Sequence, residues 1–161
     1  SCGCPDKWDF SDDPDAADPN AGVEARFDKN MEIATEKTGG KIKVRKIKSP
    51  SAQALVTLLS EKQERSFDVI YVDGGHTSAL ALTDLVFSFP LAKVGALIIV
   101  DDYVWNQAET VTNNILEQPK LAVDGFVNSF HNYLQVVAGA PLYQTRISQM
   151  VLRFPDGGGQ I

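Results

Sequence analysis

The sequence predicts an α/β domain with a mostly parallel sheet and helices on both of its faces. Three observations lead to this fold class: strand-like and helical patterns alternate along the chain, two strands are apolar almost throughout, and residues 133–154 form two strand-like segments around a turn. A strand that is apolar throughout is typical of one covered on both sides. Right-handed crossovers between parallel strands then place helices on both faces.

The N-terminal segment, residues 1–21, predicts a loop, because "SDDPDAADPN" at 11–20 combines acids with prolines and has no apolar periodicity. From 22 to 38 the apolar residues recur at helical spacing, and Gly39 and Gly40 end that helix.

The next two elements are a strand and a second helix. Residues 41–48, "KIKVRKIK", alternate basic and apolar side chains, which predicts a half-buried strand with a basic outer face. Ser49 followed by Pro50 is typical of an N-cap with proline in the first turn. The helix that follows has an apolar face made of Ala52, Leu55, Leu58 and Leu59.

Two buried strands and two helices complete the alternating pattern. Residues 67–72, "FDVIYV", predict the first strand and 95–100 the second, with a helix over 78–92 between them. Pro119 begins a further helix. The two C-terminal strands are joined by a turn at 139–141, and 156–161 predict a flexible tail on a single domain of residues 1–161.

Composition excludes several classes of partner. The net charge of −6 argues against a nucleic-acid or anionic-membrane surface, and no apolar run is long enough to cross a bilayer. Cys2 and Cys4 have no second pair with which to build a zinc site. No targeting signal is visible, so a cytoplasmic protein is expected.

Carboxylates follow both buried strands. Asp73 comes directly after the first, and Asp101 and Asp102 come after the second. If the strands are neighbours, about 4.8 Å apart, these three carboxylates converge, and a divalent cation such as Mg²⁺ would offset their repulsion. His76 lies beyond a Gly-Gly turn and is placed to accept a proton from a bound hydroxyl group.

A structural interpretation of the same residues stays open. Asp73 or Thr77 is also a suitable cap for the helix at 78, and Asp102 is also suited to hold a turn. On that interpretation His76 is an exposed loop residue.

The segment "FDVIYVDGGHTSALALTDLVFSFPLAKVGALIIVDDYVW", residues 67–105, resembles the second half of class I S-adenosylmethionine-dependent methyltransferases, and most closely the metal-dependent small-molecule O-methyltransferases. "KSPSAQAL" at 48–55 resembles the loop and helix start that precede this strand in the family, and "AVDGF" at 122–126 resembles its later helix. The resemblance implies a Rossmann-like, doubly wound sheet with an antiparallel C-terminal strand. It implies methyl transfer from S-adenosylmethionine to a hydroxyl group of a small molecule.

The resemblance also implies roles for individual residues. Asp73, Asp101 and Asp102 would hold magnesium, and His76 would be the general base. The cofactor would be contacted by Asp9 at its ribose, by Ser51 and Ala52 at its adenine, and by Asp73 and Gly74 at the strand end.

The chain departs from the family pattern at its start. The family's first strand, its glycine-rich turn and the helix after it have no counterpart in residues 1–66. Three explanations remain: an N-terminal segment outside this chain completes the sheet, a shortened relative closes the gap by rearrangement or as a homodimer, or the fold persists as a non-catalytic scaffold or interaction module. An enzyme is favoured over the scaffold.

Overall fold

The structure is a computed structural model that describes residues 21–104, 115–137 and 150–154. The chain divides into two compact units, residues 1–47 and residues 48–161, and each is described by itself. The loop predicted over 1–21 therefore lies outside the described residues except at its last position, and so do the turn at 139–141 and the tail at 156–161.

The described part of the first unit contains one helix, α1 (Ala21–Lys37). Gly39 and Gly40 follow it with φ angles of 62° and 77°, which is the left-handed conformation that ends helices at little cost when the residue is glycine. The helix predicted over 22–38 is confirmed within one residue at each end.

The strand predicted over 41–48 is wrong. These residues are irregular and largely exposed, with Ile42 44% and Val44 43% accessible. A strand needs a neighbour to satisfy its backbone groups, and no strand in the described residues pairs with this segment. Lys46 instead contacts α1, where its ammonium group lies 2.9 Å from Glu24 and 2.6 Å from Asp28.

The second unit contains the remaining elements, which follow the predicted order. They are α2 (Ser51–Ser60), β1 (Phe67–Val72), α3 (Ser78–Ser88), a 3₁₀ turn (Phe89–Leu91), β2 (Ala92–Val100), a 3₁₀ turn (Ile115–Glu117), α4 (Pro119–Ser129), β3 (Gln135–Val136) and β4 (Met150–Arg153). None of the helices in the described ranges combines the length and apolar composition needed to cross a membrane.

The four strands form one sheet in the order β1-β2-β4-β3. β1 and β2 are parallel neighbours, and Val72 pairs with Val100, so the two strands end level with each other. β4 is antiparallel to both β2 and β3. The structure therefore confirms that the two strands followed by aspartates, β1 and β2, are neighbours. It also confirms that the C-terminal strands are antiparallel.

Other features of the predicted sheet are not confirmed. One of the three strand pairings in the described residues is parallel, so the sheet seen here is not mostly parallel. The first strand was expected to be covered on both sides, yet Val69 and Tyr71 are 55% and 50% accessible. The reason is that the core packs on only one face of β1, the face that carries Ile70 and Val72, and the opposite face is exposed in the described part of the chain.

The core lies between that sheet face and helices α3 and α4. It contains Val72, Ile98, Val100 and Leu152 from the strands and Leu85, Val123 and Phe126 from the helices. Phe89 packs against four aromatic rings, with ring centroids 5.9 Å from Phe126, 4.7 Å from Phe130, 6.4 Å from Tyr133 and 4.8 Å from Phe154. Most of these side chains are almost completely buried, so their packing holds α3 and α4 against this face of the sheet.

The helix starts are fixed by different means. Thr77 is the N-cap of α3, and its side chain accepts a hydrogen bond from the backbone N–H of Leu80 at 3.4 Å. The cap expected at Ser49 is not found, because α2 begins at Ser51 and its N-cap position is Pro50. Of the two caps proposed for α3, the structure selects Thr77, which leaves the Asp73 carboxylate available for other contacts.

Candidate functional site

The candidate site forms where β1 and β2 end. The backbone N–H of Asp101 donates to the carbonyl of Val72 at 2.9 Å, so the two chains remain tied to each other one residue beyond the strands. Asp73 then leaves β1 toward the Gly74-Gly75 turn, and Asp102 leaves β2. The level ends of the strands bring these two carboxylates into one small volume.

His76 completes a group of three possible metal ligands. Its Nε2 lies 3.1 Å from Oδ2 of Asp102 and 4.0 Å from Oδ1 of Asp73. One ligand atom from each of the three side chains lies within 4.8 Å of the other two. The Asp73 side chain is half exposed, and the side chains of His76 and Asp102 are 32% and 17% exposed, so a ligand can reach the group from solvent.

Asp101, the third carboxylate predicted to bind metal, makes different contacts. Its Oδ2 accepts a hydrogen bond from the hydroxyl group of Tyr71, and its Oδ1 accepts one from the backbone N–H of Asp102 at 2.9 Å. In the described part of the chain it is not a member of the Asp73–His76–Asp102 group. The sequence did not indicate the contact with Tyr71, because it joins side chains from neighbouring strands.

Asp102 adopts a left-handed backbone conformation, with φ 52°. Aspartate tolerates this conformation better than most residues do, although it remains sparsely populated. Burial raises the pKa of the Asp102 carboxyl, repulsion from Asp101 and Asp73 raises it further, and only His76 opposes the rise. A protonated imidazole or a bound cation would therefore relieve unfavourable charge at this position.

A network from α4 holds the residue after Asp102. The hydroxyl group of Tyr103 donates to Oδ1 of Asp124 at 2.6 Å, and the ammonium group of Lys120 donates to the Tyr103 oxygen at 2.8 Å. Lys120 also contacts Asp124 directly and lies 5.0 Å from the centre of the Tyr103 ring. The sequence places Lys120 and Asp124 one helical turn apart, but it gave no sign that Tyr103 joins them.

The charges of this network support one another. Burial raises the pKa of the Tyr103 phenol, and its hydrogen bond to Asp124 raises it further. Burial opposes ionisation of Asp124, yet the hydrogen bonds from Lys120 and Tyr103 outweigh burial and lower its pKa. The network therefore keeps a neutral phenol between an ammonium group and a carboxylate.

The residues predicted to contact a cofactor lie at the same end of β1. Ser51 and Ala52 form the first turn of α2, and Gly74 follows Asp73. A methyl group added to Gly74 would lie 3.8 Å from Oγ of Ser51, so the two predicted contact segments are adjacent. Asp9, the predicted ribose ligand, lies outside the described residues.

These observations define a class of protein: an α/β domain whose parallel strands end level and carry acidic side chains into a solvent-accessible site. Comparison with family models makes the class specific. Residues 6–103, more than half of the chain, match the family described as a methyltransferase domain, and the chain belongs to that family. Membership supports a methyltransferase activity with S-adenosylmethionine as the methyl donor. A search of curated proteins finds no match.

Proposed function

We propose that this chain transfers the methyl group of S-adenosylmethionine to a hydroxyl oxygen of a small molecule, with a divalent cation at the Asp73–His76–Asp102 group. One observation carries the proposal: β1 and β2 end level, and ligand atoms of the three side chains lie within 4.8 Å of one another. In parallel α/β sheets, ligands bind beyond the carboxyl ends of the strands. Family membership supports the methyl transfer, and the side-chain group supports the O-methyl chemistry.

The donor set fits a divalent cation. Asp73 and Asp102 each offer a carboxylate oxygen, and Mg²⁺ commonly uses one or two carboxylates and keeps several water ligands. When bound there, such a cation would make an adjacent hydroxyl group more acidic. Asp101 would support the site indirectly, because its bonds to Tyr71 and to the Asp102 backbone fix the loop.

His76 is suited to accept the proton of the acceptor hydroxyl group. A neutral imidazole has one ring nitrogen that can accept a proton, and this side chain is accessible to solvent. The imidazolium formed by that transfer is stabilised by Asp102 at 3.1 Å and by Asp73 at 4.0 Å. If Nε2 binds the cation instead, this nitrogen cannot accept the proton, and an imidazole ligand favours a transition metal such as Zn²⁺ over Mg²⁺.

The cofactor would lie against Gly74 and the first turn of α2. Gly74 has no side chain and permits a close approach to the backbone, and Ser51 offers a hydroxyl group beside it. Bound S-adenosylmethionine supplies a sulfonium methyl group, whose C–S bond electrons stay with sulphur as the acceptor oxygen takes the methyl. The role of the chain is to hold the acceptor oxygen in line with that bond and to remove its proton.

Calorimetry with S-adenosylhomocysteine, with and without MgCl₂, tests the proposal. We expect binding that is tighter with Mg²⁺, and we expect Asp73→Asn to remove the effect of Mg²⁺. Asp68→Asn is the matched control, because Asp68 lies at the other end of β1 and pairs there with Lys93 at 2.7 Å. Absence of cofactor binding by the folded chain in both conditions would reject the enzyme in favour of the scaffold.

The metal alone separates the two roles of His76. Mn²⁺ binding can be followed by the electron paramagnetic resonance of the free ion, without cofactor or turnover. If His76 is the base, His76→Asn leaves the Mn²⁺ affinity within about threefold of that of the wild type. If His76 is a ligand, the affinity falls by about 10-fold or more, a factor that corresponds to about 1.4 kcal/mol. His131→Asn is the control, since His131 is an exposed residue whose ring contacts the carbonyl of Asn128.

A further inference from the structure

We propose that Tyr103 is a positioning residue for the cation site, because it keeps Asp102 in the backbone conformation in which its carboxylate faces His76. The inference rests on the proposed function, since it concerns a cation at the Asp73–His76–Asp102 group. Tyr103 would act through Asp102 and not as a ligand. Its two partners on α4 would share this role, and they are Lys120 and Asp124.

The conformation of Asp102 requires support from its surroundings. Its φ angle of 52° lies in the left-handed region, which a residue other than glycine keeps only where the surrounding structure determines it. In this conformation Oδ2 of Asp102 lies 3.1 Å from Nε2 of His76. A change to a right-handed or extended conformation would turn the side chain in another direction. The three possible ligands would then no longer lie within 4.8 Å of one another.

The chain is fixed on both sides of Asp102. On the N-terminal side, the backbone N–H of Asp101 donates to the carbonyl of Val72 at 2.9 Å, and its carboxylate accepts a hydrogen bond from Tyr71. On the C-terminal side, the side chain of Tyr103 is 9% exposed and belongs to the core. Because both neighbours have fixed positions, the torsions of Asp102 are restricted to those that join them.

The hydroxyl group of Tyr103 fixes its side against a rigid element. It donates to Oδ1 of Asp124 at 2.6 Å and accepts a hydrogen bond from Lys120 at 2.8 Å. Both partners lie on α4, which is anchored in the core by Val123 and Phe126, with 0% and 1% of their surface exposed. The residue after Asp102 is therefore tied to a packed helix and not to another loop.

The affinity for a metal ion reports this role without cofactor or turnover. Loss of both hydrogen bonds frees Tyr103 from α4 and allows Asp102 to populate other conformations. If the conformation that binds the cation falls to about a tenth of the population, the apparent affinity falls about 10-fold. We therefore expect Tyr103→Phe to bind Mn²⁺ about 10-fold more weakly than the wild type. The electron paramagnetic resonance of the free ion measures this at a temperature at which both proteins are fully folded.

Two variants of Asp124 separate the hydrogen bond from the charge. Asp124→Ala removes the acceptor of the phenol hydrogen and should lower the Mn²⁺ affinity by about fivefold. Asp124→Asn keeps an oxygen atom that can accept this hydrogen bond, so its affinity should stay within about twofold of the wild type.

Leu91→Ala is the control for a general loss of stability. Leu91 is 1% exposed and directly precedes β2, at the end of that strand opposite to the site. The variant should lower the free energy of unfolding, as truncation of a buried leucine does, and leave the Mn²⁺ affinity within about twofold of the wild type.

The outcomes distinguish this inference from the proposed function. An unchanged Mn²⁺ affinity in folded Tyr103→Phe, or equal losses in the two Asp124 variants, would refute the positioning role and leave the cation site intact. A loss in Leu91→Ala as large as that in Tyr103→Phe would show that the affinity follows overall stability, and would also overturn the inference. A wild-type protein that does not bind Mn²⁺ would reject the cation site together with the role of Tyr103.

Discussion

Tyr103→Phe tests whether the network from α4 stabilises the loop that carries Asp102. The change removes one oxygen atom and keeps the ring, which is 9% exposed and belongs to the core. It therefore removes the 2.6 Å bond to Asp124 and the 2.8 Å bond from Lys120 without creating a large cavity. Any loss of stability then reports the hydroxyl group alone.

The contacts that remain set the magnitude. A hydrogen bond to a charged group is worth about 1.5–3 kcal/mol, and two are lost. Asp124 and Lys120 still contact each other, however, so neither charge is left unpaired. The cost should therefore lie near the lower end of that range, about 1.5 kcal/mol. For a chain of this size, this predicts a fall in Tm of about 3–6 °C.

Urea unfolding at pH 7 measures the change, and the slope with denaturant should stay constant. Tyr133→Phe is the matched control, because Tyr133 also packs against the core and its hydroxyl group makes no hydrogen bond in the described residues. We expect a cost below about 0.5 kcal/mol for the control. Equal costs for the two variants would show that ring packing, not the network, supports the loop.

Three further predictions concern the site and the core. Asp102→Asn should raise the free energy of unfolding at pH 7, in the presence of a chelator, by up to about 1 kcal/mol, and should leave it unchanged near pH 3. The reason is that the raised pKa of the Asp102 carboxyl destabilises the folded state as the pH rises above 3.8, the ordinary value. Urea unfolding at both pH values checks this, and a lower free energy of unfolding at pH 7 would contradict it. Leu85→Ala should cost about 2–5 kcal/mol by thermal unfolding, because this side chain is completely buried. Gly74→Ala should cost about 1–3 kcal/mol, because its methyl group would lie 2.6 Å from Oδ2 of Asp84, and clearly less in an Asp84→Ala background; a double-mutant cycle measures the coupling.

The order of elements could be predicted from sequence because it depends on local patterns. β1 was predicted with both ends correct, and α1 and α4 follow from apolar periodicity and from their flanking glycine and proline residues. The strand at 41–48 failed for a physical reason. Alternation reports that a segment is able to form a strand, whereas pairing depends on a neighbour that no local pattern describes.

The site could be predicted only in part. Parallel adjacency of β1 and β2 was enough to bring the ends of their acidic segments together. Which carboxylate faces His76 depends on the left-handed backbone of Asp102, and sequence gives no measure of that angle. The burial of Asp84 beside Gly74 could have been predicted, because Asp84 lies three residues after Ala81 and four before Ser88, on the buried face of α3.

The left-handed backbone conformation of Asp102 gives the two consecutive aspartates different contacts. A single reversed torsion sends two identical, consecutive side chains to different tasks: Asp101 fastens its loop to the phenol of Tyr71, and Asp102 faces the imidazole of His76. The two aspartates therefore do not share one role. Exchanging one of them for glutamate should therefore impair a different contact in each case. Asp101→Glu should weaken the hydrogen bond that ties the loop to Tyr71, and Asp102→Glu should change the distance to the imidazole of His76.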